Sequence, residues 1–432
     1  MIPANSDQDV EIAIVGAGIA GIAVAYYLCV KHKRRSVLLI DSRQPMSYTS
    51  AQSGDNYRNW WPHRTMVDFI NDSIDEMDRL AQDSNNIFHM SRAGYVLTTR
   101  QIDVANIVDA IAGDIDVGVI NGRNAIRAQY PYLSAEINNV IHIRRGGDIS
   151  GQQLGQYLLG KLRAVGGKRM QGQVISIHNG ARYCLEVTTR GGVRSVDAAI
   201  VVNAAGPFVN VISRMLGVEL PVTNIYQQKI AFEDQLKAVP RDMPFCIDLD
   251  AKQLGWTAEE KSLLAEDKEL DWLTAELPPG THCRPDGGPY GKWVKLGWAY
   301  NNRVSEARDE LADEPAIDSF FPEIVMRGAA AFIPGLLPYV ASPPVRYSHY
   351  GGYYTMTDEN WPLIGPLDNN AAFVVAALSG FGSMAACAAG KLCAAHICGG
   401  DLPSYAGNLS MARLTNKALM VELAATSNKG LL

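Results

Sequence analysis

Three glycines and an acid carry the first chemistry legible in this sequence. Gly16, Gly18 and Gly21 stand in G-x-G-x-x-G spacing, and Asp41 follows twenty residues after Gly21. Gly16 permits a tight turn, Gly18 offers no side chain to bar a pyrophosphate, and Gly21 lets a helix pack closely on a strand. The free N–H groups and positive dipole end at the start of that helix suit phosphate. Asp41 is placed to accept hydrogen bonds from a ribose. The glycines alone are a weak signal, because a Gly-rich turn in an unrelated α/β protein would show them too. Their context makes the reading dinucleotide binding. The apolar run Ile12 to Val15 precedes them, a helical stretch with Ile22, Ala25 and Leu28 on one face follows, and a second apolar run, Val37 to Ile40, ends at the acid.

Other reactive residue types are more scattered. A polar loop after Asp41 carries Arg58 and the adjacent Trp60 and Trp61. His63 and His349 are possible bases, with no triad or metal spacing around either. The seven cysteines are dispersed, odd in number and without C-x-x-C, which speaks against a disulfide framework or a zinc site and fits a reducing compartment. The cytoplasm is therefore the expected location. The opening MIPANSDQD is polar and acidic, unlike a secretory leader. A net charge of −6 leaves no basic stripe for nucleic acid. The apolar stretch 371–399 could be taken for a membrane span, but it contains SGFGS and divides into a strand, Ala372 to Ala377, and a small-residue helix.

The elements that must position these residues follow from periodicity. Hydrophobic residues make up 47% of the 432 positions, enough for a sizeable core and two or three domains. The pattern predicts a helix from Thr65 to Ala81, a strand over 92–99, a helix after GGDISG, a hairpin from Val174 to Val187 and a buried strand from Ala198 to Val202. The charged run 256–277 reads as a solvated helix or a lid. KWVKLGWAY is a strand, a helix lies near 317–331, strands and turns fill 345–365, and two helices close the chain. The segment 101–147 mixes helix and turn signals.

In this order the pieces resemble the FAD-dependent D-amino-acid oxidase family, above all its sarcosine and glycine oxidase branch. The matching segments are VGAGIAGIAVAYYL with Asp41, SAQSGDN, VVNAAGPF at 201–208, VKLGW at 294–298, YYTMTDENWPLIGP at 353–366 and ALSGFGSM at 377–384. The resemblance implies an α/β fold with a Rossmann-like FAD-binding domain of the glutathione-reductase type. That domain is assembled from residues 1–90, 148–222 and 345–432. A second, antiparallel-sheet domain for the substrate takes 91–147 and 223–344. The resemblance also implies FAD contacts from Gly16, Gly18, Ile19, Ala20, Gly21, Asp41, Ser42, Arg43, Ser50, Ser53, Gly54, Val174, Ala205, Gly206, Gly380, Phe381, Gly382, Ser383 and Met384. A second glycine cluster at the far end of the chain, again between strand and helix, favours FAD over a nicotinamide. Its helix amides would face the flavin where negative charge gathers on reduction.

The implied chemistry is oxidation of the C–N bond of an amino acid or secondary amine by hydride transfer to flavin N5, with an imine as product and, with oxygen, hydrogen peroxide. The cofactor carries the hard step. Arg58 is the expected carboxylate partner, since a guanidinium fork binds carboxylate bidentately. Tyr353 and Tyr354 are expected on the substrate side of the flavin, and Lys295 as the cation over it. Three departures from sarcosine oxidases stand out. Gly352 replaces the cysteine that holds flavin covalently, so noncovalent FAD is expected. Met384 stands where those enzymes place a lysine, and Ala299 replaces a histidine, which puts sarcosine itself in doubt. The competing readings are a dehydrogenase of an amino or hydroxy acid that feeds a quinone or carrier, an aromatic monooxygenase, and a flavin-binding protein without turnover. The monooxygenase would need a late Gly-Asp-Ala-type motif, where this chain has PLIGP and SGFGS.

Overall fold

A computed structural model describes residues 8–109, 115–305, 307, 317–367 and 371–425. The polar opening at 1–7 and the last stretch of the expected FAD-binding domain, 426–432, lie outside the described residues. Two large sheets organise the chain.

The first sheet is mainly parallel. Gln8–Val15 lies between Gly192–Asn203 and Val37–Asp41, parallel to both. Ala372–Ala376 continues it on one side and Lys168–Gln171 on the other, with Leu363–Pro366 as an antiparallel edge. The hairpin of Gln173–Asn179 and Tyr183–Thr189 extends from Gly192–Asn203. Parallel strands are covered on both faces, so their sequences are continuous apolar runs. Accordingly Ile12, Ala13 and Ile14 are fully buried. The first helix, Ile19–Tyr26, starts inside the glycine motif and continues as one π-helical turn, Tyr27–Lys31. It crosses the late helix Gly382–Cys398 at close range. A Cβ on Gly390 would lie 2.6 Å from the Ala23 carbonyl carbon, so the small-residue composition of that helix is what close packing requires. The apolar stretch 371–399 is thus a strand and a packed helix, and no described helix is long and apolar enough to cross a membrane. Helix Arg64–Asp83 covers the predicted 65–81, with Met66, Phe69, Ile70, Ile74, Met77 and Leu80 buried.

The second sheet runs Tyr347–Met356, Thr223–Glu233, Trp293–Gly297, Thr281–Asp286, Phe245–Asp248, Tyr95–Thr99, Asn139–Ile143 and Val117–Asn121. It is antiparallel except where Phe245–Asp248 meets Tyr95–Thr99. Tyr347–Met356 pairs with Thr223–Glu233 over ten residues, so this strand belongs to the second sheet, across the domain boundary expected at 345. Its reading as FAD-domain strand is corrected by that ladder. The charged run 256–277 is not one helix: Ala258–Glu266 forms an α-helix with a Thr257/Glu260 capping box, and Asp271–Thr274 a separate turn. Asp267 ends the α-helix in an extended conformation, with φ −94° and ψ 112°, which breaks the helical periodicity.

The second sheet has two chemically different faces. On one, Val96, Cys246, Cys283, Val294, Leu296, Ile230 and Phe232 form the domain's own core with helix Phe321–Ala330. The alternate residues, Tyr95, Phe245, His282, Arg284, Lys295 and Lys229, point the other way, as the pairing register and period-two alternation dictate.

Candidate functional site

A cleft of about 1190 Å³ opens at the carboxyl ends of the parallel strands. It lies where open α/β sheets bind their ligands. Gly16, Gly18, Ile19, Ala20, Asp41, Ser42, Arg43, Ser50, Val174, Ala205, Gly206 and Gly382 all line it, as does Tyr353. A smaller chamber of about 410 Å³ adjoins it, sharing Ile19, Thr49, Ser50, Tyr353, Ser379 and Gly382. Gln52, Ser53, Gly352, Tyr354, Ser383 and Lys229 complete its walls.

The glycines divide the work. A Cβ on Gly16 would lie 2.2 Å from the Ala204 carbonyl oxygen, at a φ of +109°. One on Gly21 would lie 1.9 Å from the Gly16 carbonyl oxygen. Both positions are glycine for the fold. A Cβ on Gly18 meets only the Ser50 hydroxyl, at 3.1 Å, so the space it keeps open is in the cleft. Asp41 accepts from the Ala17 N–H at 2.6 Å and the Arg43 N–H at 2.8 Å, one on each oxygen. Each carboxylate oxygen has a further lone pair for a ribose. Arg43 lies along the cleft, its guanidinium 4.4 Å from the Tyr48 ring and 4.8 Å from the Phe208 ring.

The residues present fit FAD. The Thr49 and Ser379 hydroxyls are buried in walls common to both cavities and have no hydrogen-bond partner among the described residues. Buried polar groups are rarely left so, and the flavin and ribityl groups would satisfy them. Ala377 and Ser379 hold φ of +55° and +44°, left-handed conformations that are costly for non-glycine residues and gather at ligand sites. Helix Gly382–Cys398 begins without a side-chain cap, so its first N–H groups are open to the chamber.

Some expected contacts are placed elsewhere. Phe381 packs edge-on against Trp61, ring centroids 4.8 Å apart, and the Met384 side chain is 2% exposed in the core. Helical phase turns both inward, so their side chains line neither cavity. Gly380 makes room for Tyr354, whose ring a Cβ would meet at 2.5 Å. The Gly54 carbonyl accepts from Arg284 Nε at 2.9 Å. The Ser53 and Ser383 hydroxyls meet at 2.9 Å across the chamber wall.

The substrate-side residues are also rearranged. Arg58, on strand Asn56–Arg58, is 2% exposed and does not reach the chamber wall. Its guanidinium lies 5.0 Å from the rings of Trp61 and Tyr95, and burial draws its pKa down while the Tyr95 and Tyr354 hydroxyls act on its charge. Lys295 shares the chamber face of the sheet but lines neither cavity. Its ammonium lies 3.4 Å from Asp286 and 4.0 Å from Asp55. Burial and the Arg284 charge lower the Lys295 pKa, and burial raises that of Asp55. Arg284 pairs with Asp286 at 3.0 Å, so these side chains form one buried charge cluster behind the 53–55 loop.

The two histidines singled out in the sequence serve packing. His63 caps helix Arg64–Asp83 by accepting from the Thr65 N–H, and His349 stacks on Phe321 on the sheet's core face. His282 was missed. It stacks on Phe245 on the chamber face, and burial, with the Lys229 and Arg284 charges, pushes it down to about 4. It is therefore neutral at physiological pH. Tyr95 and Lys229 were missed too, because nothing in their local sequence marks them. Among the described residues there is no cluster of acids, histidines or cysteines able to hold a metal.

The family model of FAD dependent oxidoreductases matches residues 11–396. No curated protein matches the sequence. Solved structures share the fold at low identity. The L-proline dehydrogenase of P. horikoshii is 18% identical with a TM-score of 0.74, over 95% of this chain and 98% of that one. The glycine oxidase of Geobacillus kaustophilus is 15% identical with a TM-score of 0.74, over 94% and 99%. An iminodiacetate oxidase from Chelativorans is 17% identical with a TM-score of 0.67, over 93% and 98%.

Proposed function

The chain belongs to the FAD-dependent oxidoreductase family, and from that premise we propose that it oxidises the C–N bond of an amino acid or secondary amine. The observation that carries the reading is the second chamber. It joins the cofactor cleft and is walled on its far side by Tyr353, Tyr354 and Lys229 of the second sheet. The flavin supplies the hydride acceptor, and the chain supplies position and charge. Tyr354 forms part of the wall, with its ring over Lys229 on one side and the Arg58 charge behind it. His282 lies on the same sheet face, is kept neutral by burial and lines neither cavity. Oxygen is the proposed acceptor. The second reading is a dehydrogenase with a quinone or carrier, favoured by the two carboxylates close to Lys295 and in keeping with the P. horikoshii neighbour's activity. Amino acids, amines and hydroxy acids, added anaerobically, distinguish the substrate classes by flavin bleaching. Peroxide formation in air separates oxidase from dehydrogenase. Bleaching by hydroxy acids alone would overturn the proposal.

The FAD is proposed to be noncovalent. Gly352 offers no sulfur, and a Cβ there would be 3.0 Å from Gln52 Cβ, so even a small side chain would crowd the wall. Acid precipitation is expected to leave a yellow supernatant over colourless protein; flavin retained in the pellet would contradict this.

Arg58 is proposed to supply charge for the substrate carboxylate. Arg58→Ala should raise KM for an amino acid more than for its decarboxylated amine, as a charge acting through space rather than by contact would. The paired substrates cancel the packing lost among Trp60, Trp61 and Tyr95. Equal shifts for both would remove Arg58 from this role.

A further inference from the structure

Three cations share the chamber face of the second sheet, and their surroundings differ. Arg284 donates to the Gly54 carbonyl and pairs with Asp286. Lys295 lies between Asp286 and Asp55. Lys229, diagonal to Lys295 across the ladder of Thr223–Glu233 and Trp293–Gly297, is only 6% exposed. It has neither a hydrogen bond nor an ion pair with any described residue. Its ammonium stands 5.4 Å from the centroid of the Tyr354 ring, and both side chains line the smaller chamber. A buried ammonium without an anion is expensive unless a ligand supplies one. Sequence reading gave this position no role.

The chamber around it is built to accept an anion. Thr49, Ser50, Ser53, Ser379 and Ser383 bring hydroxyls to its walls, and among the described residues no acidic side chain lines it. The cofactor's phosphates belong to the other sheet, at Gly16–Gly18 and the start of the first helix. Lys229 comes from the opposite wall, beside the aromatic side chains of Tyr354 and, further along the same face, Phe245 and Tyr95. An anion on that wall is therefore not a cofactor phosphate.

We propose that Lys229 is the direct anion-binding residue of the reaction chamber, and that the anion is the carboxylate of the substrate. This rests on the amine-oxidation reading and narrows it to amino acids. The carboxylate bonds to the ammonium at the face of Tyr354, which orients the neighbouring C–N bond toward the cleft. Arg58 adds to the field from behind that ring, while Lys229 makes the contact. No covalent step is involved, and specificity follows from charge: an amine lacking the carboxylate leaves the ammonium buried and unpaired.

The test uses the flavin-loaded protein and two small probes of the same shape, acetate and acetamide. Each is titrated by calorimetry and by perturbation of the flavin absorbance. Acetate is expected to bind the wild type and acetamide to bind at least tenfold more weakly. Lys229→Met should weaken acetate by about 30-fold or more and leave acetamide unchanged. Lys229→Arg should recover most of the acetate affinity. Lys229→Gln, which keeps a polar side chain of similar reach, repeats the test if the methionine variant fails to fold. Acetate binding within threefold of wild type in a folded Lys229→Met or Lys229→Gln protein overturns the assignment, whatever happens to the flavin. Calorimetry reads acetate without relying on colour. A wild-type protein that holds acetate but no flavin would therefore defeat the amine-oxidation reading and leave the anion site standing.

Discussion

Gly18→Val is expected to yield a folded protein without colour. The three glycines of the motif differ in what surrounds them, and this substitution exploits the difference. A side chain at Gly16 or Gly21 would collide with backbone carbonyl oxygens at 2.2 or 1.9 Å and disturb the strand–turn–helix unit itself. At Gly18 the backbone is extended, with φ −71°, and the only close neighbour is the Ser50 hydroxyl. Valine would displace that hydroxyl from the Ile19 N–H, at a cost of about 1 kcal/mol for one hydrogen bond. Its branched side chain would then fill the space reserved for the pyrophosphate, and no rotamer avoids it. Far-UV circular dichroism should match wild type while the flavin-to-protein ratio after gel filtration falls to background. A Gly18→Val protein that purifies with full flavin content would show that the motif serves the fold alone.

Lys295→Met is expected to slow reoxidation of the reduced flavin by oxygen by about two orders of magnitude, near 2.7 kcal/mol of barrier. Anaerobic reduction by substrate should stay near its normal rate. Oxygen becomes an anion on taking its first electron, and a fixed positive charge in a dry site lowers the barrier to that event. Lys295 and Arg284 are two cations beside Asp286 and Asp55. Removing Lys295 takes one of these two cations from behind the 53–55 loop. Stopped-flow mixing of pre-reduced enzyme with oxygen reads the effect directly. Unchanged reoxidation would remove Lys295 from this role and favour a different electron acceptor.

The cofactor half of the site was legible because its information is local. Gly16 to Gly21 and Asp41 lie within one strand–helix–strand unit, and residue type at each position has a single steric reason. Alternation in VKLGW likewise put Lys295 on the face opposite Val294 and Leu296, which is where it lies. Its partners were not legible, because Asp55 and Asp286 approach it only when two distant loops meet the sheet. Lys229 reads as an ordinary lysine in a strand, since half of all strand positions face outward. Only the packing of that face against the first domain buries it. Phe381 and Met384 show the opposite error. Their nearness in sequence to Gly380 and Gly382 suggested cofactor contact, whereas the phase of the helix turns their side chains into the core.

The order of strands in the parallel sheet has a consequence for how the protein comes to hold its cofactor. The central strand Gln8–Val15 pairs with Gly192–Asn203, which pairs in turn with Ala372–Ala376. A nascent chain therefore displays the glycine turn early but cannot close the cleft until Ala372–Ala376 has left the ribosome. Contacts of such long sequence separation form slowly, and unpaired strand edges stay exposed meanwhile. FAD is thus expected to be captured after synthesis, as the final clamp on an assembled sheet, and flavin supply during expression should govern how much chain escapes aggregation.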